Sequence, residues 1–221
     1  MTDGTVFQTN LSAGSGATRK FDVLVRLIRA AQPISRTEIA ARLEIDKSTV
    51  SEYVKSLLRT GIVTDEALFT GDSGRRSRAL VFADDGSYFI GVNLGVRTTQ
   101  VGTTNLVGDI TEIDDFQTQS DPELVLRRSK ELIEQIFESR GREKCRMIGI
   151  CVPGLTDGDR RKLIYAPNLN WRDVDIAGYF DDLGDIGIVV ENDSSAAAMF
   201  EARLQLRSPG LEKSNDFVLV R

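Results

Sequence analysis

Apolar side chains in the first sixty residues recur every three or four positions in three separate stretches, the spacing of helices with one buried face. The first stretch covers residues 18–31 and stops before Pro33, which cannot continue a helix. The second begins at Ser35, and the Ser-x-x-Glu spacing to Glu38 predicts a capping box. The third begins after Asp46, a residue type favoured at the N-cap. We therefore expect three short helices.

The third helix would present small polar and basic side chains opposite its apolar stripe. These candidate contacts are Lys47, Ser48, Thr49, Ser51 and Lys55. Helix-turn-helix proteins insert the N-terminal half of such a helix into the major groove of DNA, and short side chains let its backbone approach the bases. Glu52 argues mildly against contact unless it accepts a hydrogen bond from a cytosine amino group.

A basic hairpin is predicted after the helices. Apolar runs at 62–63 and 79–82 bracket a glycine-containing tip at 71–76. Arginines at such a tip can lie along phosphates or enter a narrow minor groove, so Arg75 and Arg76 are further candidate DNA contacts. Three helices with a merely solvated polar face are the alternative, but the hairpin favours a winged helix-turn-helix.

The remainder of the chain alternates strand-like and helix-like patterns, as in an α/β layer with a mixed sheet. Three antiparallel strands are expected at 88–94, 98–104 and 110–116, then a helix at 122–140, a strand at 147–152, a helix at 176–183, a strand at 186–190 and a helix at 194–206. The resulting domain plan is a flexible segment at 1–17, a DNA-binding domain at 18–83, a linker at 84–87 and an α/β domain at 88–221.

Charge and composition limit which partners and which catalytic groups the chain can have. Residues 1–83 carry 12 basic and 9 acidic side chains, or +3, and residues 84–221 carry 16 and 24, or −8, so only the first part suits a polyanion. Histidine is absent, which removes the usual general base and the commonest zinc ligand. Cys145 and Cys151, six apart on one strand, should share a face without approaching each other, as reduced thiols. With neither a membrane span nor a targeting segment, we expect a cytoplasmic protein.

Five segments resemble successive motifs of the ROK family (repressors, open reading frames and kinases), in the family's order. They lie at 74–76, 90–95, 148–154, 166–171 and 191–198. The resemblance implies a winged helix-turn-helix fused to the N-terminal lobe of an actin-like, ribonuclease-H-like (ASKHA) fold. In that fold a sugar occupies the cleft between two lobes.

The same resemblance implies a sugar site. Asn168, Asn192 and Asp193 match family positions that hold sugar hydroxyls, and Gly154 would let the ring approach the backbone. In the family's kinases the residue matching Asp193 also deprotonates the hydroxyl that attacks ATP. Capping of the following helix is the alternative role for Asn192 and Asp193. For Trp171, core packing is preferred to sugar stacking.

Two departures from the family pattern weigh against a kinase. Asn93 stands where ROK kinases place an aspartate, and Val96 and Arg97 replace small residues beside the ATP phosphates. The family also continues, after a strand like that at 217–221, with a second phosphate loop, further sugar ligands and a zinc cluster of cysteine and histidine. We therefore expect no metal or cofactor, and a truncated gene product or fragment.

These patterns and the family resemblance predict a transcription regulator, a repressor of carbohydrate genes, that binds operator DNA as a homodimer and responds to a sugar or sugar derivative. No catalytic activity and no membrane contact are expected. A ROK-type sugar kinase is one alternative. A DNA-binding module that no longer responds to a ligand is another.

Overall fold

The computed structural model describes residues 16–69, 76–83 and 86–205. It divides into two compact units, the second of which begins at Gly86. Within the described residues, no helix is both long and apolar enough to cross a membrane.

The first unit consists of three helices followed by a two-stranded antiparallel hairpin. The elements are α1 (Gly16–Ala31), α2 (Arg36–Leu43), α3 (Lys47–Arg59), β1 (Val63–Phe69) and β2 (Arg76–Phe82). The segment between α1 and α2 adds a bridge to the hairpin, since Ile34 and Leu80 exchange both backbone hydrogen bonds, at 3.2 and 2.8 Å. The three helices and the hairpin thus form the winged helix-turn-helix that the sequence predicts.

The N-caps of α2 and α3 are those predicted from the sequence, with one difference. Ser35 accepts a hydrogen bond from the backbone N–H of Glu38 at 3.2 Å, and Asp46 accepts one from the N–H of Thr49 at 2.8 Å. The reciprocal half of the predicted capping box is replaced by an ion pair, because the Glu38 carboxylate accepts from Arg42 one turn along α2. A charge-assisted pair at this spacing is favourable on an exposed helix face.

One apolar cluster holds the first unit together. Its fully buried members come from all three helices, both strands and the segment between α1 and α2: Leu24, Ile28, Ile34, Ile39, Val50, Val54, Leu57, Val63 and Leu80. Burial of one such side chain stabilises a fold by roughly 1.5–3 kcal/mol. The stripes at helical spacing in the sequence are thus the buried faces of α1 to α3.

The second unit is built on a five-stranded mixed sheet. Its elements are β3 (Tyr88–Leu94), β4 (Thr98–Asn105), β5 (Ile110–Gln117), α4 (Pro122–Arg140), β6 (Cys145–Val152), β7 (Leu155–Thr156), β8 (Leu163–Ala166), β9 (Trp171–Val174), α5 (Ile176–Tyr179), β10 (Ile188–Asn192) and α6 (Asp193–Gln205). The sheet order is β10-β6-β3-β4-β5.

The strand directions place three strand ends at one edge. Strands β3, β4 and β5 form an antiparallel meander, whereas β6 runs parallel to β3, and β10 runs parallel to β6. This order and these directions are those of a ribonuclease-H-type lobe. The carboxyl ends of β3, β6 and β10 therefore share one edge, the usual ligand edge of a parallel sheet.

Three features between β6 and α6 differ from the prediction. Strands β7, β8 and β9 form a separate three-stranded sheet that was not predicted. The helix expected at 176–183 is one α-helical turn followed by a 3₁₀ turn at Asp181–Leu183. Strand β10 begins two residues late and includes Asn192, because pairing with β6 extends the strand over polar residues.

A β-bulge changes the faces of β6. Tyr88 pairs with Cys145 and Ile90 with Ile148, so β6 has one extra residue between these pairs. Side chains along a strand alternate between the two faces of the sheet, and an added residue shifts this alternation by one position. Cys145 therefore joins Ile148 in the core, while Cys151 lies on the opposite face. The expectation that the two thiols share a face is wrong, although both are free.

The start of β3 is anchored within the second unit. Ser87, which the sequence assigns to a linker, is 5% exposed and accepts hydrogen bonds from Arg146 Nε at 3.0 Å and Nη2 at 2.8 Å. The limits of that linker stay a prediction.

Candidate nucleic-acid interface and ligand cleft

The outer face of α3 carries the predicted polar residues. Lys47, Ser48, Ser51 and Lys55 are exposed, and Thr49 is half-buried at the margin of the face. Val50, Val54 and Leu57 hold the opposite side in the core. Glu52 and Arg59 are also exposed, at helical spacing from Ser48 and Lys55. Sequence reasoning missed Arg59, although its position four residues after Lys55 is a sufficient signal.

The hydroxyl groups on this face hydrogen-bond to the protein itself. Ser48 donates to Asp46 Oδ1, and Thr49 Oγ1 donates to Asp46 Oδ2 at 2.6 Å. Ser51 donates to the backbone oxygen of Lys47 at 2.7 Å. The hydrogen bonds from the Ser48 and Thr49 hydroxyls and from the Thr49 amide hold the pKa of Asp46 well below its usual range. Asp46 therefore stays ionised and acts only as an acceptor.

The hairpin is present, but its tip is not described. Strands β1 and β2 pair in register from Val63 with Phe82 to Phe69 with Arg76. Arg75 and the side chain of Arg76 lie outside the described residues. Their contacts with DNA stay a prediction.

A second basic feature joins α2 to the hairpin, and sequence reasoning missed it. Ser35, Arg36, Thr37, Asp65 and Arg78 line an open hollow. Asp65, whose side chain is 15% exposed, accepts from Arg36 Nη2 at 2.8 Å and lies 3.5 Å from Arg78 Nε. Because two guanidinium groups share one carboxylate, the hollow keeps one net positive charge. Arg36, Asp65 and Arg78 are far apart in the sequence, so no local spacing pattern predicts that they meet.

In the second unit, Asn192 connects two strand ends. Its Nδ2 donates to the backbone oxygen of Gly154 at 2.8 Å, and its Oδ1 accepts from the N–H groups of Ser194 and Ser195, both at 3.0 Å. Asp193 Oδ1 also accepts from Ser194 N, at 2.6 Å. Both side chains therefore cap α6, the alternative left open by the sequence. The Asp193 carboxylate still has lone pairs for a ligand, whereas the Asn192 amide has used both lone pairs of its oxygen and keeps only a second N–H on Nδ2.

Gly154 is required by packing within the protein. A Cβ at this position would lie 2.5 Å from the backbone oxygen of Tyr165 and 2.8 Å from Ala166 Cβ, both on β8. The β6 end and the small β7–β9 sheet thus meet closely. The predicted contact of Gly154 with a sugar ring stays a prediction, and the structure adds this packing role.

The segment between β8 and β9 carries the other residues predicted for the cleft. Asn168 is exposed in the connecting turn, two residues after Ala166. Trp171 is 1% exposed and donates from Nε1 to the backbone oxygen of Ser120 at 2.7 Å. Core packing of Trp171 is therefore confirmed.

An ion pair supports the β10 end of the cleft. Arg160 Nη2 lies 2.8 Å from Glu191 Oε2, and the side chain of Glu191 is only 13% exposed. Arg160 also accepts a backbone hydrogen bond from Val190 at 2.8 Å. The turn between β7 and β8 thus fixes the residues that precede Asn192.

A polar row crosses the open face of the sheet near the same edge. Gln100, Asn93, Cys151 and Glu191 lie in register on β4, β3, β6 and β10. Asn93 Nδ2 donates to Gln100 Oε1 at 3.3 Å. Burial first, then the charges of Asp193 and Glu191, raise the pKa of the Cys151 thiol. The row thus contributes two neutral amides, a protonated thiol and the Glu191 carboxylate, whose charge is paired with Arg160.

Two backbone oxygens in the turn between β3 and β4 accept hydrogen bonds from within the protein. Thr118 donates from its hydroxyl to the Gly95 oxygen at 2.8 Å and from its N–H to the Arg97 oxygen at 2.9 Å. A Cβ at Gly95 would lie 2.5 Å from the Thr98 oxygen.

Within the part of the chain that the structure describes, no group of three or more cysteine, aspartate or glutamate side chains is arranged for a metal ion.

Comparisons with known proteins agree with this architecture. A model described as the ROK family matches residues 89–213, and a model described as the IclR helix-turn-helix domain matches residues 16–67. The chain is 30% identical over 183 residues to the xylose repressor of Bacillus subtilis (strain 168), an alignment that covers 81% of this chain and 47% of that protein.

Two further relatives extend the comparison. The DNA-binding transcriptional dual regulator NagC of Escherichia coli (strain K12) is 28% identical over 155 residues, which cover 66% of this chain and 37% of that protein. A solved ROK family transcriptional regulator, described as a homologue of the E. coli MLC protein, superposes with a TM-score of 0.67 at 20% identity. That match covers 84% of this chain and 48% of the other. The chain thus spans about half the length of the first curated relatives it matches.

These matches confirm the fold expected from the sequence, a helix-turn-helix unit joined to an actin-like α/β lobe. The ROK model alone covers more than half of the 221 residues. The chain belongs to the ROK family.

Proposed function

We propose that this chain is the operator-binding part, and one wall of the sugar-sensing part, of a transcriptional repressor of carbohydrate genes. The observation that carries the proposal is the exposed polar face of α3, held by a buried apolar stripe and followed by a hairpin wing, in a chain that continues into a ROK lobe. The xylose repressor and NagC are relatives with regulatory names. The chain would work where the chromosome lies, in the cytoplasm.

DNA recognition is assigned to two surfaces of the first unit. Lys47, Ser48, Thr49, Ser51 and Lys55 would contact the major groove, and Arg75 and Arg76 would contact phosphates or the minor groove. Arg36 and Arg78, in the hollow between α2 and the hairpin, supply further positive charge beside the phosphate backbone. A homodimer would place two α3 helices on the half-sites of a palindromic operator.

Sugar recognition is assigned to the shared edge of β6 and β10. Asn192 and Asp193 there present an amide N–H and carboxylate oxygens next to Gly154, and Asn168 lies on the adjoining β8–β9 turn. Such groups bind vicinal hydroxyls by paired hydrogen bonds. The names of the relatives suggest a pentose or an amino sugar, so xylose and N-acetylglucosamine form the first test panel, with glucose as an unmodified hexose for comparison.

The DNA-binding proposal is tested by fluorescence anisotropy with duplexes at several salt concentrations. We expect tight binding at low salt and, for the double variant Arg75→Ala/Arg76→Ala, weaker binding with a log–log salt slope reduced by about two, about one for each lost phosphate contact. The control is Arg127→Ala/Arg128→Ala, which removes two adjacent exposed arginines from α4. An unchanged slope removes the wing from the interface, and no binding to any duplex overturns the proposal.

The sugar-sensing proposal is tested with Asp193→Asn. Because this change removes one charge at the cleft and leaves the first unit intact, we expect altered sugar binding by calorimetry and unchanged affinity for operator DNA. An equal fall in DNA affinity would make Asp193 a structural residue. The absence of heat with every sugar, for the unaltered chain, would favour the alternative of a DNA-binding module without ligand response.

A sugar kinase remains the enzyme alternative, and the residue at position 93 argues against it. Asn93 donates to Gln100 and carries no charge. A phosphate site at the end of β3 would need a charge that could hold magnesium. Production of ADP in the presence of any sugar of the panel would favour the kinase over the repressor.

A further inference from the structure

The hydroxyl groups on α3 have a fixed hydrogen-bond polarity. A hydroxyl has one proton to donate and two lone pairs to accept with. Ser48 and Thr49 direct that proton to the Asp46 carboxylate, and Ser51 directs it to the Lys47 carbonyl. All three outward oxygens are therefore left as acceptors.

The charge of Asp46 makes this arrangement robust. Its carboxylate caps α3 through the Thr49 amide and is kept ionised by the two hydroxyl donors, so it cannot return a proton to either of them. If the hydroxyl of Ser48 or Thr49 turned its proton outward, a lone pair of the Asp46 carboxylate would lose its donor. The N-terminus of α3 would then have fewer hydrogen bonds. The charged donors on the exposed part of this face are the ammonium groups of Lys47 and Lys55 and the guanidinium of Arg59.

The groups of DNA differ in what they can offer such a face. Phosphate oxygens, guanine N7 and O6, adenine N7 and thymine O4 all accept hydrogen bonds. In the major groove only the N6 amino group of adenine and the N4 amino group of cytosine donate. A hydroxyl whose proton is already bound within the protein can pair only with those two groups.

We propose that the hydroxyl oxygens of Ser48, Thr49 and Ser51 determine operator specificity by accepting from adenine or cytosine amino groups in the major groove. This inference rests on the proposed function, since it names the base chemistry that the same α3 face recognises. Glu52, an exposed acceptor in the middle of that face, strengthens the same preference. The lysines contact phosphates or guanine.

The first experiment identifies the bases. Duplexes that bind the full chain are selected from a randomised pool, and each selected adenine is then replaced by 2-aminopurine, which still pairs with thymine but moves the amino group to the minor groove. Selected cytosines are replaced by 2-pyrimidinone, which lacks the amino group. We expect each removal of a contacted amino group to weaken binding about fivefold, the effect of one hydrogen bond. Replacement by 7-deazaadenine, which removes only an acceptor, should change binding less than about twofold.

Variants assign the partner hydroxyl. In Ser48→Ala, Thr49→Val or Ser51→Ala, we expect the loss on removal of the matching amino group to disappear, because its acceptor is already gone. Ser139→Ala is the matched control, since it removes a similar hydroxyl-to-carbonyl hydrogen bond from α4 in the other unit and should keep the full loss. Asp46→Asn keeps a good N-cap but can donate to a neighbouring hydroxyl, and we expect this variant to select different bases.

The outcomes separate this inference from the function it rests on. If no duplex is selected, both fail. If duplexes are selected but loss of the amino groups has no effect, or if only 7-deaza bases weaken binding, the hydroxyls act as donors and this inference alone is overturned. Unchanged base selection by Asp46→Asn contradicts it for Ser48 and Thr49, whose protons Asp46 accepts, whereas amino-group losses that vanish in a single hydroxyl variant establish it.

Discussion

Two glycines near the end of β6 differ in what surrounds them. At Gly154 a Cβ would overlap the Tyr165 oxygen at 2.5 Å, whereas at Gly149 no described atom beyond its chain neighbours lies within 4 Å. A side chain forced into a closely packed site costs about 1–3 kcal/mol. An alanine in open space instead reduces the entropy of the unfolded chain, which stabilises the fold by about 0.4–1 kcal/mol.

We therefore expect Gly154→Ala to lower the free energy of unfolding by about 1–3 kcal/mol and Gly149→Ala to leave it unchanged or slightly raised. Urea unfolding of the two variants, followed by circular dichroism, measures the difference. Equal destabilisation by both alanines would show that the contacts of Gly154 with β8 do not set its requirement for glycine.

The Cys145 thiol is a second residue with a testable environment. Burial raises the pKa of Cys145 to about 11, from the ordinary value of 9.0. Because only the thiolate reacts, we expect alkylation by iodoacetamide to be slow near pH 8 and to accelerate toward pH 11. The stability that comes from burying the neutral thiol is complete below pH 9 and lost as the pH rises toward 11.

Mass spectrometry of the alkylated peptides against pH measures this rate at Cys145 separately from Cys151. Urea-unfolded protein is the control, since its two thiols should react alike with an ordinary pKa. Reaction of folded Cys145 at the unfolded rate at pH 8 would contradict its burial.

Among the elements, β5 is the most exposed strand of the large sheet. It lies at the edge, and Ile110 and Ile113 are 67% and 53% exposed. An edge strand with exposed apolar residues is a site of edge-to-edge pairing, which proteins counter with charge. Asp114 and Asp115, both exposed on β5, supply that charge here.

We expect Asp114→Val/Asp115→Val to increase self-association, because the variant loses two negative charges and gains β propensity at a free edge. Sedimentation velocity at several protein concentrations measures the effect. Glu134→Val/Glu138→Val, the same change of charge and side chain on the exposed face of α4, is the control. Equal association of both variants would attribute it to net charge and hydrophobicity instead of the strand edge.

The elements that the sequence predicts well are those whose own residues determine them. Helices α1 to α3 follow from apolar spacing and from caps at Ser35 and Asp46, and the β3–β5 meander follows from apolar runs separated by turns. Strands β7 to β9 were missed because they are two to four residues long and gain their order from pairing with one another. The bulge between Cys145 and Ile148 depends on the register with β3, which no local pattern reports.

The candidate sites divide in the same way. The polar face of α3 could be predicted because it lies within one helix. The capping role of Asn192 could be predicted because it directly precedes α6, whereas a sugar role for Asn192 and Asp193 comes only from the family resemblance. The hollow formed by Arg36, Asp65 and Arg78 could not, since its members come from a helix and two strands. The hydrogen-bond polarity of Ser48 and Thr49 required the geometry around Asp46.

At the scale of the whole molecule, two compact units carry two separate sets of candidate contacts. Bound ligand slows amide exchange mainly where it stabilises local structure. We expect operator DNA to slow hydrogen exchange in α2 and α3, and a bound sugar to slow it at the ends of β6 and β10. Mass spectrometry of proteolytic fragments measures both.

If the protein is a sugar-responsive repressor, the two ligands must oppose each other. A sugar that weakens DNA binding must itself bind more weakly in the presence of operator, by the same factor. Protection of α2 and α3 by sugar alone, with no protection at β6 and β10, would contradict the assignment of the cleft.

The extra residue in β6 has a consequence for how this strand can vary. The extra residue places Arg146 beside Ser87, which directly precedes β3 near the start of the second unit. Deleting Arg146 would yield a more regular ladder with Cys145 still facing inward, yet Ser87 would lose its guanidinium partner. A strand shortened in this way would keep its buried face and give up the two hydrogen bonds that hold the residue before β3.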